Sequence, residues 1–286
     1  MRIRELFDKK TVFSFEVFPP KKTSSIDVIY NTIDELRDLQ PDFISVTFSA
    51  GGSSNNEFAL DLASKVKDCG ITPMIHLPCI NYTRDEIFET LSDIQNRGIE
   101  NILALRGDIN PDIPPKMDFL HASDLIEYIN DKGDFDIAAA CYPEGHPDAE
   151  SLESDVENLK IKVEAGADHL ISQLFFDNAY FYNFREKAVS SGINVPIEAG
   201  IMPVVNKNQI ERMVTTCGAS LPHKFVKIMQ KYEHNPEALR DAGIAYAIDQ
   251  IVDLLAGGAQ GIHLYTMNNS YVAGKISNAV KGIINI

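Results

Sequence analysis

Near the start of the chain Phe13, Phe15 and Val17 alternate with Ser14 and Glu16, and Pro19 and Pro20 follow closely. A period of two is that of a strand with one apolar and one polar face. The prolines stop it, because neither can donate to a ladder. The pattern therefore predicts a strand over Val12–Val17 with the Glu16 carboxylate fixed at its carboxyl end. Seven further stretches read as strands: Asp42–Phe48, Thr72–Leu77, Asn101–Arg106, Asp136–Cys141, Asp168–Leu174, Pro196–Ile201 and Gly261–Thr266. Between them apolar residues recur at helical spacing: Ile26, Ile29, Ile33, Leu36 and Leu39; Leu152, Val156, Leu159 and Val163; Ile248, Ile251, Val252 and Leu255. Glycines at 70, 98, 166, 192 and 257–258 fall where a helix ends and feeds the next strand.

Eight such βα units in 286 residues predict an α/β fold, a single (β/α)8 TIM barrel spanning residues 1–286. No linker, repeat array or low-complexity segment marks a second domain. The longest gap between strands, Met202 to Gln260, is expected to hold more than one helix.

The carboxyl ends of barrel strands form the working face. Standing there are Glu16, Thr47, His76, Arg106, Gly107, Asp108, Tyr142, Gln173, Asn268 and Asn269. So many polar strand ends on one rim are hard to explain by packing. An ionised acid among aromatic neighbours is paired, exposed at a mouth, or kept near neutral for a task. Arg106 and Asp108 flank Gly107, which fits either a turn ion pair or a glycine that admits a flat ligand between two polar groups. The loop Cys141–Pro147 leads into a helix on which Asp155, Asn158 and Lys162 recur at i, i+3 and i+7. That stripe fits a solvated helix face, and equally the ribose and phosphates of a nucleotide. Phe175 and Phe176 fit core packing or a stacking wall, with core the simpler reading.

The net charge of -15 argues against nucleic acid or an anionic membrane as partner. No apolar run approaches a membrane span, and the first eight residues lack a signal core, so a cytoplasmic location is expected. Cys69, Cys79, Cys141 and Cys217 show no CxxC spacing and read as reduced thiols. His76, His121 and His146 lie in separate loops without ligand spacing, so no metal is expected. No GxGxxG follows a strand, Gly51-Gly52-Ser53-Ser54 lacks a P-loop lysine and reads as a loop, and strand six ends without a Schiff-base lysine.

Taken together, FSFEVFPPK, ISVTF, the His76-Leu77 strand end, ALRGD, AACYPEGHP and ISQLFFD resemble the methylenetetrahydrofolate reductase family, in its bacterial form without a regulatory domain. The likeness runs in order over nearly the whole chain. It implies a barrel holding FAD noncovalently at the carboxyl ends of the strands. It also implies a ping-pong reaction in which NADH or NADPH reduces the flavin, and the flavin then reduces 5,10-methylenetetrahydrofolate to 5-methyltetrahydrofolate, in a homo-oligomeric enzyme of methionine metabolism. By position, Glu16 looks like the general acid that opens the folate's five-membered ring. Asp108 is similar to the acid that sits by flavin and pterin and tunes the flavin. Gln173 matches a residue orienting folate or nicotinamide, and Gln209 a substrate contact. Thr47, His76, Arg106, Gly107, Asp108, Ala122, Tyr142, His146, Asp155, Asn158 and Lys162 match positions that hold FAD.

A general acid must carry a proton when the folate binds, and the apolar neighbours of Glu16 are expected to raise its pKa. The chain departs from the family pattern at Asn269, where many bacterial relatives carry Arg, and at Met213, where some relatives carry a stacking Phe. The loop Ile109–Leu120 is slightly longer, which affects the match at Ala122. Two other readings stay open from the residues: a flavin barrel oxidising an amine, and a flavin- or folate-binding protein without turnover.

Overall fold

The computed structural model describes residues 1–20, 25–48, 53–109, 114–206, 208–209 and 218–284. Eight parallel strands close into a barrel in chain order, with the first paired to the last. They are β1 (Val12–Val17), β2 (Phe43–Val46), β3 (Thr72–Pro78), β4 (Asn101–Leu105), β5 (Asp136–Cys141), β6 (His169–Ser172), β7 (Ile197–Ile201) and β8 (Gly261–Tyr265). Every predicted strand is present, with ends displaced by two residues at most. The helices are α1 (Arg4–Phe7), α2 (Asp27–Arg37), α3 (Ser53–Asp68), α4 (Arg84–Asn96), α5 (Ala122–Lys132), α6 (Leu152–Glu164), α7 (Asn178–Ser190), α8 (His223–Tyr232), α9 (Pro236–Ala256) and α10 (Ser270–Ile284). The long gap holds α8 and α9, as expected. Ser53 and Ser54 open α3 instead of lying in a loop, while Gly51 and Gly52 fall outside the described residues.

The alternation in each strand divides the core. Phe13, Phe15 and Val17 point outward with Ile44, Ile75, Ile102 and Ile262 and pack under the helices in one continuous cluster. Each such side chain taken fully out of water contributes roughly 1.5–3 kcal/mol of transfer energy. The inward residues form a different stack. Ile3, Leu6, Val12, Phe43, Met74, Leu103, Ala138 and Ile171 make an apolar plug that closes the amino end and reaches the floor of the mouth cavity through Leu103 and Ile171. Arg4 seals the plug from below: its backbone N–H donates to Asp136 Oδ2 at 2.9 Å and its guanidinium to Asp168 Oδ1 at 2.5 Å. Above the plug the interior turns polar, with Ser14, Ser45, His76, Glu198 and His263 all buried. With one end closed by hydrocarbon, a ligand can reach this polar column only from the carboxyl ends of the strands.

Phe175 and Phe176 are core residues, as the simpler reading had it. Phe176 belongs to a smaller cluster with Met202, Phe225 and Tyr246 and stacks on Phe225 at a centroid distance of 4.5 Å.

Candidate active site

Glu16 is the last inward residue of β1, and its carboxylate stands between two imidazoles. Its Oε2 lies 3.5 Å from His76 Nε2 on β3 and 3.5 Å from His263 Nε2 on β8. The apolar surroundings alone would raise the carboxyl. The hydrogen-bonding contact with His263, together with the electrostatic influence of the two facing imidazoles, outweighs burial and leaves it below its ordinary value. The expectation of a raised pKa is thus corrected: the aromatic neighbours Phe13 and Phe15 point away into the outer core, and the groups that face Glu16 are imidazoles. Burial drives His76 itself down to about 4, against the pull of Glu16, so its ring is neutral near pH 7. Its Nε2 is buried without a hydrogen-bond partner among the described residues.

Glu16, Thr47, His76, Arg106, Gly107, Asp108, Tyr142 and Gln173 line one cavity of about 370 Å³ at the barrel mouth. Arg106, Tyr142 and His146 also line its neighbour of about 470 Å³, together with Ala122, Asp155, Asn158 and Lys162. The two share a wall, so the rim opens into one elongated trough. Gly107 adopts φ +87°, and a Cβ there would come within 2.9 Å of Pro78 Cβ. Arg106 pairs with Asp148 at 3.0 Å, so its ion-pair partner is not Asp108.

The stripe on α6 is positioned by a cap: Ser151 Oγ accepts from Ser154 N at 3.1 Å and starts the helix at the cavity wall. Asp155 accepts from the His146 backbone N–H at 3.2 Å. Burial raises its pKa, with Lys162 and the His146 contacts opposing. Lys162 Nζ donates to Ala140 O at 2.9 Å, 5.8 Å from the centre of the Tyr142 ring. Burial lowers its pKa while Asp155 supports it. Tyr142 packs edge-on to His146 at 4.6 Å, and burial lifts its hydroxyl to about 12. Gln173 uses Oε1 to accept from Leu174 N at 2.9 Å, which leaves its Nε2 hydrogens as the free end of the amide.

Gln209 stands apart, in a cavity of about 320 Å³ with Asn206, Asn269 and Met267. Its Oε1 accepts from Val205 N at 2.8 Å. Asn269 caps α10, accepting from Val272 N at 3.1 Å. Asn268 ties the β8 loop to β1: its side chain accepts from Phe18 N at 3.1 Å and donates to Phe18 O at 2.8 Å. Met213 and Cys217 lie outside the described residues; Cys69, Cys79 and Cys141 are free thiols, and no metal-ligand cluster occurs among the described residues. No helix among them is long and apolar enough to cross a membrane.

Residues 2–281 match the model of the methylenetetrahydrofolate reductase family. The chain belongs to this family. It is 37% identical to the 5,10-methylenetetrahydrofolate reductase of Escherichia coli over 90% of this chain and 86% of that protein. It is 35% identical to the Pectobacterium carotovorum enzyme of the same name, with the same coverage. An Arabidopsis thaliana relative named methylenetetrahydrofolate reductase (NADH) 1 is 37% identical over 91% of this chain and 46% of its own. Among solved structures, a Clostridium thermocellum protein described as binding two copies of 5-methyl-5,6,7,8-tetrahydrofolic acid superposes with a TM-score of 0.70 at 15% identity, over 99% of each chain. That likeness speaks for the fold alone.

Within the family frame, the sequence reading missed the deeper part of the site. Ser14, His263 and Glu198 complete the polar column beneath Glu16, and Tyr265 joins the rim. The signal was present: Ser14 sits on the same alternating face as Glu16, and His263 and Tyr265 alternate with Ile262 and Leu264.

Proposed function

We propose that residues 1–286 act as one catalytic domain that reduces 5,10-methylenetetrahydrofolate to 5-methyltetrahydrofolate, with a reduced nicotinamide as donor and noncovalent FAD as carrier. The observation that carries this reading is the placement of an acid, Glu16, at the floor of a trough whose other arm presents Lys162, Arg106 and Tyr142. The trough fits the cofactor chemically. Gly107 keeps one wall flat where a Cβ would crowd Pro78. The buried His76 Nε2 awaits a partner, and cations face the arm suited to phosphates. When bound there, FAD would supply hydride-transfer chemistry between a reduced nicotinamide and the one-carbon unit of the folate.

The protein's own residues do the rest. Thr47, His76, Arg106, Gly107, Asp108, Ala122, Tyr142, His146, Asp155, Asn158 and Lys162 hold and orient the cofactor. Glu16 delivers a proton to the folate nitrogen whose bond to the methylene carbon breaks, leaving an electrophilic iminium on the other nitrogen. In the free site Glu16 is ionised. Flat ligands lying over it remove water, strengthen the cost of its charge and raise its pKa toward the value a donor needs. Gln173 turns its amide N–H groups to nicotinamide or folate in turn, Asp108 sets the charge beside flavin and pterin, and Gln209 meets the outer part of the folate. The name of the Arabidopsis relative supports NADH as donor. A cytoplasmic homo-oligomer supplying methyl groups for methionine is consistent with this role.

The test is an anaerobic visible spectrum of the purified protein, with NADH and then methylenetetrahydrofolate added. The flavin band is expected to bleach and then return. In Glu16→Gln the bleaching persists and the return slows by about a hundredfold or more. A band that bleaches but never returns in the parent protein would favour an amine-oxidising barrel.

A further inference from the structure

Glu198 is a second interior carboxyl, and the reaction above does not use it. It lies on β7 with no exposed surface, beside β8 at Gly261, where a Cβ would stand 2.7 Å from the Glu198 Cγ. The glycine makes room for it. Glu198 Oε2 is 2.7 Å from Ser14 Oγ, and Ser14 Oγ is 2.7 Å from His263 Nδ1. His263 Nε2 is in turn 3.5 Å from Glu16 Oε2. The other oxygen, Oε1, is buried with no partner among the described residues. An ionised carboxylate so placed is far more costly than a neutral acid. We propose that Glu198 is an internal proton reserve for Glu16, delivering through Ser14 and His263. This rests on the acid role proposed for Glu16.

Burial pushes Glu198 up to about 8; the Ser14 hydroxyl opposes this and the charge of Asp42 adds to it. Glu16 is lowered, so near pH 7 the resting proton sits on Glu198 and the charge on Glu16. In that state Glu198 donates to Ser14 Oγ, the Ser14 hydroxyl donates to His263 Nδ1, and His263 Nε2–H faces the Glu16 carboxylate. Moving each proton one link along leaves Glu198 ionised with the Ser14 hydroxyl donating to it. His263 then holds its proton on Nδ1, and Glu16 is neutral. No proton enters or leaves, and no electron moves. Glu16 can then give its proton to the substrate nitrogen, and the reserve refills from solvent by the reverse passage once the rim is clear. The contact between His263 and Glu16, at 3.5 Å, is the longest link.

An internal source suits this barrel because the apolar plug seals one end and the ligands cover the other. Among the described residues, few polar groups face the chain. Asp42 acts on Glu198 from the start of β2. Ser45 Oγ lies 3.5 Å from His263 Nε2, and His76 faces Glu16 from β3.

The experiment compares the two half-reactions by stopped flow in the parent protein, Glu198→Gln and Ser14→Ala, from pH 6 to 9, with infrared spectra of the same samples. Both variants are expected to keep nicotinamide-driven flavin bleaching. They should slow flavin return by about tenfold at pH 8, with the loss shrinking toward pH 6 as solvent protons reach Glu16 directly. The parent should show the infrared band of a protonated, deuterium-sensitive carboxylic acid at pH 7, absent in Glu198→Gln. Parent-like return rates across the pH range in Glu198→Gln, with Glu16→Gln impaired, would overturn the reserve and leave the acid role intact. Parent-like rates in Glu16→Gln as well would remove the acid role itself. If Glu198→Gln does not fold, a parent spectrum with no protonated carboxylic acid at pH 7 would overturn the reserve unaided.

Discussion

Arg106 and Asp148 form an ion pair across the mouth of the trough, Nη2 to Oδ2 at 3.0 Å, joining the loop after β4 to the loop after β5. Asp148 is well exposed and also donates its backbone N–H to His146 Nδ1 at 3.0 Å. A pair so open to water contributes at most about 1 kcal/mol to folding. Its larger effect is to occupy a cation that the proposed function assigns to FAD. Asp148→Asn is therefore expected to leave stability nearly unchanged and to tighten flavin binding by about three- to tenfold at low salt. Fluorescence titration with FAD checks this. Weaker binding would mean that Asp148 holds Arg106 in its working position.

Two buried groups that titrate between pH 4 and 8 act on stability in opposite directions. Glu198 has its carboxyl raised from 4.5 to about 8, so between those values the folded state holds a proton that the unfolded state has lost. Its contribution is fully present below pH 4.5 and is lost as pH rises toward 8, by up to about 1.4 kcal/mol per unit. His76 is lowered from 6.5 to about 4, so its contribution is present above 6.5 and is lost as pH falls toward 4. Glu198→Gln is thus expected to match the parent near pH 4.5 and to exceed it by a few kcal/mol at pH 8. Urea unfolding at both pH values measures the gap. A gap independent of pH would mean that Glu198 ionises normally.

The sequence made the barrel legible because outer-face residues such as Phe13, Phe15 and Val17 obey a simple alternation, and because glycines with positive φ, such as Gly98 and Gly166, end the helices. The rim was legible for the same reason: every strand end is a place where alternation stops. The electrostatics of Glu16 were not. Its neighbours in sequence are aromatic, but its neighbours in space are His76 and His263, and parallel pairing between β1 and β8 brings residues about 250 positions apart together. The partner of Arg106 was hidden likewise, since Asp108 is near in sequence and Asp148 is near in space.

Gly107 is held at φ +87°, with the position of a Cβ only 2.9 Å from Pro78 Cβ. Gly107→Ala meets both a left-handed backbone and a contact that the rigid proline ring cannot relieve. The expected loss is about 1–3 kcal/mol, read as a lower urea midpoint with an unchanged slope. Flavin retention during dialysis should fall with it, because the displaced loop carries Arg106 and Asp108. A variant as stable as the parent would show that the loop can move away from Pro78 freely.

Lys162 offers the sharpest separation of a binding role from a structural one. It reaches from α6 to the Ala140 carbonyl at 2.9 Å, near Asp155 and over the Tyr142 ring, and burial lowers its pKa. A partly desolvated cation is a poor stabiliser of the fold, so Lys162→Met should change the urea midpoint little. If the charge is there for the anionic part of FAD, the same variant should lose at least about tenfold in flavin affinity, or 1.4 kcal/mol. The salt dependence of binding should also flatten, because one ionic contact is gone. Lys162→Arg keeps the charge but replaces a point donor with a wider planar one, and is expected to fall between the two. A variant that destabilises the protein while binding flavin normally would assign Lys162 to packing of the β5 end, and the stripe on α6 would then be a half-buried helix face and nothing more.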